Sequence, residues 1–210
     1  MIRILIADDH TIVREGLKQL LSETPNLVVA GEAGSGQEVL RRLREGPYDV
    51  VLLDISLEDR SGIDVLKQVR TEWPTLPVLM LTMHPEEEYA LRALRAGAAG
   101  YLTKKSALTE LVAAIHKVAA GGRYVSASLG EVLARALEPR AAARPHERLS
   151  DREFQVFELL VSGKRLGEIA KYLGVSIKTI STHRARLLAK MRMQTVAALI
   201  RYALENQLVR

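Results

Sequence analysis

The chain has 210 residues, 48% of them hydrophobic, and a formal net charge of +5. This length allows one large domain or two small ones with packed cores. Cysteine is absent, which excludes disulfides, thiolate catalysis and cysteine-based metal sites. No apolar run reaches the roughly 18 residues of a membrane span, and the short acidic N-terminus is unlike a signal peptide. A soluble cytoplasmic protein without a membrane partner is therefore predicted.

The charge is distributed unevenly along the chain. From Arg144 onward, thirteen Lys or Arg residues stand against six Asp or Glu residues, which leaves a net charge of +7. The first 143 residues therefore carry a net charge of −2. Because the two parts differ so much in charge, we expect them to bind different partners.

Residues 1–122 alternate short apolar segments with helix-like patterns. Strands are predicted at residues 2–7, 27–30, 50–53, 77–82 and 100–103, each followed by a helix. Such alternation is typical of a parallel sheet with helices on both faces. A length of about 120 residues suits the flavodoxin-like (βα)5 fold with the strand order 2-1-3-4-5.

Polar side chains follow four of these strands. The strand order brings the carboxyl ends of strands 1, 3, 4 and 5 to one edge, where open α/β sheets bind ligands. The side chains expected at that edge are Asp8, Asp9, Asp54, Thr82 and Lys104. Three carboxylates that repel one another favour a hard cation, and a set of oxygen ligands favours Mg²⁺. Asp54 could then be a nucleophile for a phosphoryl group, with Thr82 and Lys104 binding its oxygens.

This set of residues, with Tyr101 three positions before Lys104, resembles the receiver domain of two-component response regulators. The resemblance covers residues 2–120. It implies that Asp54 accepts phosphate from a histidine kinase. It also implies a switch pair, in which Thr82 moves toward the phosphoryl group and the ring of Tyr101 turns inward.

The same resemblance implies a set of metal ligands. Asp9 and Asp54 would bind Mg²⁺ directly, and Asp8 would assist through a water molecule. The backbone carbonyl of Ser56 would be the third protein ligand.

The chain departs from the receiver pattern after Asp54. Receivers often have Met-Pro three and four residues beyond the phosphorylated Asp, whereas this chain has Leu57 and Glu58; Gly62 is in its usual place. The missing proline is expected to alter the stiffness of the loop. The charge of Glu58 could slow the approach of a phosphodonor, unless this side chain points into water.

Three further features of residues 1–147 fall outside this pattern. His10 and His84 are predicted to be surface residues or neighbours of the site rather than metal ligands. The glycine-rich segment 31–36 lacks both the G-x-G-x-x-G spacing and the Lys-Ser/Thr of a P-loop, so a turn is predicted there. Residues 123–147 are predicted to form a connector, with a short helix around Leu129 and a proline-containing linker.

Residues 148–210 are predicted to form four helices. Ser150 and Glu153 fit a capping box at the start of the first helix. The second and third helices, joined by a turn at residues 174–176, make a helix-turn-helix whose second helix enters the DNA major groove. On that helix Ile180 and Leu187 should face inward. The opposite face suits base edges and phosphates; it carries Lys178, Ser181, Thr182, Ala185 and Arg186, with Arg184 on its flank.

This segment is similar to the LuxR/NarL-type DNA-binding domain. The similarity is carried by Leu149-Ser150, Arg152-Glu153, Glu168-Ile169-Ala170, Leu173-Gly174-Val175-Ser176, Lys178-Thr179-Ile180 and His183. With the receiver, it implies the NarL/FixJ class of transcriptional regulators. His183 would support the position of the helix or contact a phosphate. Val196, Leu199 and Ile200 would form a dimer contact on DNA, although a role in the core of a single chain stays open.

The predicted function is thus a DNA-binding transcriptional response regulator. Phosphorylation of Asp54 would release the basic domain and favour a homodimer on promoter DNA, on half-sites about 10 base pairs apart. The chain would catalyse only its own phosphorylation and dephosphorylation.

Two alternatives are open to test. One is a phosphatase that acts through an aspartyl-phosphate, although such enzymes usually carry a second Asp where this chain has Ser56. The other is an architectural DNA-binding protein with a degenerate receiver, against which the intact Asp54, Thr82 and Lys104 argue.

Overall fold

The computed structural model describes residues 1–83, 86–137, 144–206 and 208. The predictions for His84 and for the middle of the linker fall outside these residues. The chain divides into two compact units, Met1–Glu138 and Pro139–Arg210, which are described separately below. Among the described residues, no helix combines the length and the apolar character that a membrane crossing requires.

The first unit contains a five-stranded parallel sheet in the order β2-β1-β3-β4-β5, as predicted. The strands are β1 Ile2–Ala7, β2 Leu27–Ala33, β3 Val50–Leu53, β4 Val78–Thr82 and β5 Gly100–Thr103. The helices are α1 Thr11–Ser22, α2 Gly36–Glu45, α3 Gly62–Glu72, α4 Glu86–Arg95, α5 Ala107–Ala119 and α6 Ala127–Leu137.

Burial on both faces explains the short apolar runs of the central strands. Every residue of β3 and β4 is buried, as expected for inner strands of a parallel sheet that is covered by helices. On one face the sheet packs against α1 and α5. That core includes Ile4, Leu21, Leu52, Leu81, Leu102, Leu111 and Ile115.

The edge strand β2 is longer than predicted. It extends to Ala33, through Gly31 and Glu32, because a shift in register between Ile4 and Leu5 lets β1 continue to pair with it. Glycine and glutamate have a low preference for strands, so the sequence of this extension does not indicate a strand. Pairing with β1 stabilises the strand there. The turn predicted over residues 31–36 is therefore limited to residues 34–35, which lead into α2.

The chain after α5 stays with the first unit. Tyr124 forms a parallel bridge with Gly100 and donates its backbone N–H to the carbonyl of Ala99 at 2.8 Å. α6 follows at the position where a connector helix is expected, and its Leu129 and Val132 are buried.

The second unit is all-helical in its described residues. A 3₁₀ turn, Pro145–Arg148, precedes α7 Asp151–Val161, α8 Leu166–Tyr172, α9 Ile177–Met191 and α10 Val196–Glu205. The predicted capping box is present: Ser150 Oγ accepts from the N–H of Glu153, and Glu153 accepts from the N–H of Ser150. The core of the unit contains Phe154, Phe157, Ile169, Ile180, Leu187 and Leu199.

Candidate functional site

The carboxyl ends of β1 and β3 place two aspartates side by side. Ala7 pairs with Leu53 in the sheet, and the N–H of Asp54 donates to the carbonyl of Ala7 at 2.9 Å. Asp8 and Asp54 are both buried, with 2% and 3% of their surface exposed. Oxygens of Asp8, Asp9 and Asp54 and a ring nitrogen of His10 all lie within 4.8 Å of one another.

Lys104, after β5, completes this cluster. Its Nζ lies 2.6 Å from Oδ2 of Asp8 and 2.6 Å from Oδ2 of Asp54. Burial alone would lower the pKa of Lys104, but the charges and hydrogen bonds of Asp54 and Asp8 outweigh burial and raise it. Lys104 is therefore a fixed positive charge beside Asp54. We call Asp8, Asp9, Asp54 and Lys104 the acidic pocket.

The acidic pocket fits a hard divalent cation. Oδ1 of Asp9 is buried and lies 2.6 Å from Nδ1 of the exposed His10. Burial raises the pKa of Asp9, and the charges of Asp8 and Asp54 raise it further, whereas His10 lowers it. Three carboxylates that lie close together and repel one another suit oxygen coordination by Mg²⁺.

Arg14 contacts the acidic pocket, which was not predicted from the sequence. Nη1 of Arg14 donates to the backbone carbonyl of Asp8 at 2.6 Å, and its Nε donates to Glu32 at 3.3 Å. His10 is an exposed neighbour of Asp9, as expected of a residue beside the site. No local sequence pattern indicates this role of Arg14, because its partners lie on a loop and on the edge strand β2, away from its own helix.

The loop after Asp54 approaches the carboxylate closely. The N–H of Ser56 points to Oδ1 of Asp54 at 3.4 Å. Leu57 is buried and Glu58 is exposed, so these two residues replace Met-Pro with one core side chain and one solvated charge. A Cβ on Gly62 would lie 1.9 Å from the carbonyl oxygen of Asp54, so only glycine fits there.

The remaining predicted receiver residues lie on the neighbouring strands. Thr82 ends β4 and is fully buried, and its carbonyl accepts from the N–H of Lys104 at 2.7 Å. Tyr101 on β5 pairs with Met80 and is also fully buried, so its ring already lies inside the unit.

In the second unit, α9 exposes one face and buries the other. Ile180 and Leu187 are fully buried, as predicted. We call the opposite side the reading face; it consists of Lys178, Ser181, Thr182, Ala185 and Arg186, all exposed except the half-buried Ser181. The hydroxyl of Thr182 donates to the carbonyl of Lys178 at 3.0 Å. Because that hydroxyl is used within the helix, Thr182 can offer a methyl group to a base.

The flanking residues His183 and Arg184 are half-buried. Burial lowers the pKa of His183, Arg152 and Arg186 lower it further, and Glu153 opposes them. Nδ1 of His183 is buried and has no hydrogen-bond partner. These surroundings favour a neutral ring that packs beside α7, which agrees with a supporting role more than with base reading.

The three residues expected at a dimer contact differ in exposure. Leu199 is fully buried within its own unit, which favours a role in the core of a single chain over an exposed dimer contact. Val196 and Ile200 are half-buried and keep part of their surface available.

Comparison with known proteins agrees with the folds of both units. Residues 4–116 match the family described as response regulator receiver domain, and residues 147–203 match bacterial regulatory proteins, luxR family. Response regulator GacA of Pseudomonas viridiflava is 35% identical over 210 residues, which cover 100% of this chain and 98% of GacA. Transcriptional regulatory protein MctR of Rhizobium johnstonii is 39% identical over 208 residues, covering 99% and 95%.

Solved structures of the RcsB response regulator have the same architecture. One, from Salmonella typhimurium, has a TM-score of 0.72 and 27% identity, with 96% of each chain covered. Another, described as two RcsB dimers bound to two parallel DNAs, has a TM-score of 0.60 at 27% identity and the same coverage. The chain thus belongs to the DNA-binding transcriptional response regulators, in which a receiver domain is joined to a luxR-family DNA-binding domain.

Proposed function

We propose that Asp54 is the phosphoacceptor of this regulator and that a histidine kinase supplies the phosphoryl group. The observation that carries the proposal is the ion pair of Lys104 with the buried Asp54 and Asp8, each at 2.6 Å. An ammonium group held in this position neutralises charge on an incoming phosphoryl group without having to move.

The chemistry assigns one role to each residue. An Asp54 oxygen attacks the phosphorus, the bond from phosphorus to the donor nitrogen breaks, and the donor keeps that electron pair. Asp8, Asp9, Asp54 and the carbonyl of Ser56 would hold Mg²⁺, which supplies charge stabilisation to the phosphoryl oxygens. The hydroxyl of Thr82 then moves toward the phosphoryl group and binds one of its oxygens, and Tyr101, whose ring is already buried, is its partner in the switch.

The second unit binds double-stranded promoter DNA through the reading face. Lys178 and Arg186 contact phosphates, while Ser181, Thr182 and Ala185 face base edges. His183 and Arg184 support the helix from its flank. RcsB has been solved as dimers on DNA, and by analogy this chain binds as a homodimer, with Val196 and Ile200 of α10 in the contact.

Phosphorylation links the two activities. It adds about −1.5 to −2 charge at Asp54, which favours release of the DNA-binding unit and dimerisation. In this scheme residues 1–122 are the receiver, 123–147 the connector and 148–210 the DNA-binding domain. The protein acts in the cytoplasm, and its only reactions are its own phosphorylation and dephosphorylation.

The test uses the full-length chain with acetyl phosphate and Mg²⁺. Intact-mass analysis should show one added phosphoryl group on the wild type and none on Asp54→Asn. Phosphorylation should tighten binding to DNA selected from a random pool with the full-length protein. Equal affinity for DNA before and after phosphorylation would reject the switch, and phosphorylation of Asp54→Asn would reject the acceptor.

A further inference from the structure

The loop between β3 and α3 is fastened to a different helix, α2, by Asp59. Its Oδ1 accepts from the N–H of Gly36 at 2.7 Å, and its Oδ2 accepts from the N–H of Gln37 at 2.9 Å. Both donors belong to the first turn of α2, where N–H groups have no partner within the helix. A carboxylate at that end also interacts favourably with the helix dipole.

Close packing accompanies these two hydrogen bonds. A Cβ on Gly36 would lie 2.7 Å from Cγ of Arg60 and 2.6 Å from Cγ2 of Val65. Glycine at the first position of α2 therefore lets the loop and α3 approach the helix closely. Two adjacent loop residues, Asp59 and Arg60, thus meet the same end of α2.

The base of the loop is closed by backbone contacts. Ser56 and Ser61 form an antiparallel bridge, and the N–H of Gly62 donates to the carbonyl of Ile55 at 2.7 Å. Ser56 follows Asp54 by two residues and sits at this closed base. Farther along the loop, Asp59 attaches it to α2, and Nη1 of Arg60 donates to Gln68 of α3 at 3.2 Å. Asp59 is thus the residue that ties the loop after Ser56 to α2 through side-chain hydrogen bonds.

We propose that Asp59 is a positioning residue for the phosphoacceptor site. Receivers often carry a proline at the place of Glu58, and proline stiffens a loop by restricting its backbone. Here Glu58 is exposed, and the next residue supplies the restraint through two charge-assisted hydrogen bonds. The clamp of Asp59 on α2 restrains the loop whose Ser56 N–H approaches Oδ1 of Asp54 at 3.4 Å, and with it the proposed Ser56 ligand. This inference rests on the proposed Mg²⁺-dependent phosphorylation of Asp54.

A simpler reading is that Asp59 only caps α2. The chain offers a matched control, because α2 has a second cap that does not involve the loop: Ser35 Oγ accepts from the N–H of Glu38 at 3.2 Å. Ser35→Ala should weaken the same helix end and leave the loop attached. A purely structural role predicts the same behaviour for Ser35→Ala and Asp59→Ala.

The experiment compares full-length wild type, Asp59→Ala, Ser35→Ala and Asp59→Asn. The readouts are Mg²⁺ affinity by calorimetry, the rate of phosphorylation by acetyl phosphate, and hydrogen exchange of residues 55–61. Asp59→Ala should weaken Mg²⁺ binding and slow phosphorylation about tenfold, the low end for residues that orient metal ligands. Asp59→Asn keeps one acceptor oxygen, so its Mg²⁺ affinity and phosphorylation rate should lie between those of the wild type and Asp59→Ala. Ser35→Ala should change both by less than about twofold.

A double variant supplies the rescue. Adding Glu58→Pro to Asp59→Ala should restore at least part of the Mg²⁺ affinity and lower the exchange of residues 55–61. Equal losses in Asp59→Ala and Ser35→Ala, or no rescue by the proline, would overturn the clamp. If the wild type takes up no phosphate, the proposed function fails, and Mg²⁺ affinity still decides whether Asp59 positions the site.

Discussion

The two functional regions of this regulator are built in opposite ways. In the acidic pocket, side chains that follow β1, β3 and β5 meet, and Lys104 contacts the buried Asp8 and Asp54. On the reading face, side chains from a single helix are mostly exposed and point away from the core. The pocket therefore depends on accurate tertiary packing, whereas the reading face depends on one helix and on the charges it carries.

This difference predicts where substitutions have large effects. A buried charge that loses its partner is left unsolvated, so changes in the pocket are severe. An exposed charge is already solvated and screened, so changes on the reading face are smaller and depend on salt. Five expected effects follow from this difference, from the largest to the smallest.

Lys104→Ala should abolish most phosphorylation. Removing the ammonium leaves Asp8 and Asp54 without their shared partner and removes a group aimed at the phosphoryl oxygens. We expect the rate of phosphorylation by acetyl phosphate to fall about a hundredfold. Lys105→Ala is the control, because Lys105 is adjacent in sequence and exposed. Similar rates for the two variants would contradict the role given to the pocket.

The second unit also has a buried carboxylate, that of Glu153. Loss of its partner Lys190 should be less damaging than loss of Lys104 is to the acidic pocket. Glu153 is buried and accepts from Lys190 Nζ at 2.6 Å, but Lys190 is 44% exposed. Lys190→Met should reduce the free energy of unfolding of this unit by about 1–2 kcal/mol, below the usual loss for a fully buried pair. Native-state hydrogen exchange of α7 and α9 measures the change.

The same pair predicts a pH dependence. Burial alone would raise the pKa of Glu153, but Lys190 and the N–H and hydroxyl of Ser150 outweigh burial and lower it below the ordinary 4.5. Its stabilisation is therefore present above pH 4.5 and is lost as the pH falls through the lower, folded-state pKa. Glu153→Gln should remove this part of the acid dependence. An unchanged acid profile in that variant would refute the assignment.

Arg186→Ala should weaken DNA binding without affecting phosphorylation. The affinity for DNA should fall about three- to fivefold near 0.2 M salt. The slope of log K against log salt concentration should become smaller in magnitude by about one for each chain bound. Lys67→Ala, an exposed lysine of α3, is the control for charge alone. A loss that is equal in both variants would point to the net charge rather than to the reading face.

Replacing thymine by uracil in the selected DNA should give the smallest effect. Thr182 uses its hydroxyl within α9, so its methyl group is the part that we expect to contact a thymine. Loss of that partly buried methyl–methyl contact should weaken binding about twofold at the base concerned, which corresponds to about half of the free energy of one fully buried methylene. Thr182→Ser keeps the hydroxyl and should make binding insensitive to this replacement. Full sensitivity in Thr182→Ser would assign the contact to another residue.

Much of the fold could be predicted because its signals are local. Apolar runs such as Val50–Leu53 indicate strands buried on both faces, and Ser150 with Glu153 indicates a helix start. The extension of β2 through Gly31 and Glu32 could not be predicted, because pairing with β1 overrides the local preference of these residues. Leu199 shows the same limit: an apolar residue on an amphipathic helix suits a dimer contact as well as a core.

The sequence by itself determined the alternation of strands and helices, the polar residues at the strand ends and the basic character of the last third. These properties follow from residue type and spacing along a continuous stretch of chain. Only the tertiary structure decided that Lys104 contacts two carboxylates, that Arg14 holds the carbonyl of Asp8, and that Asp59 clamps α2. Such contacts join polar residues from separate loops, and their pairing is set by how the helices pack on the sheet.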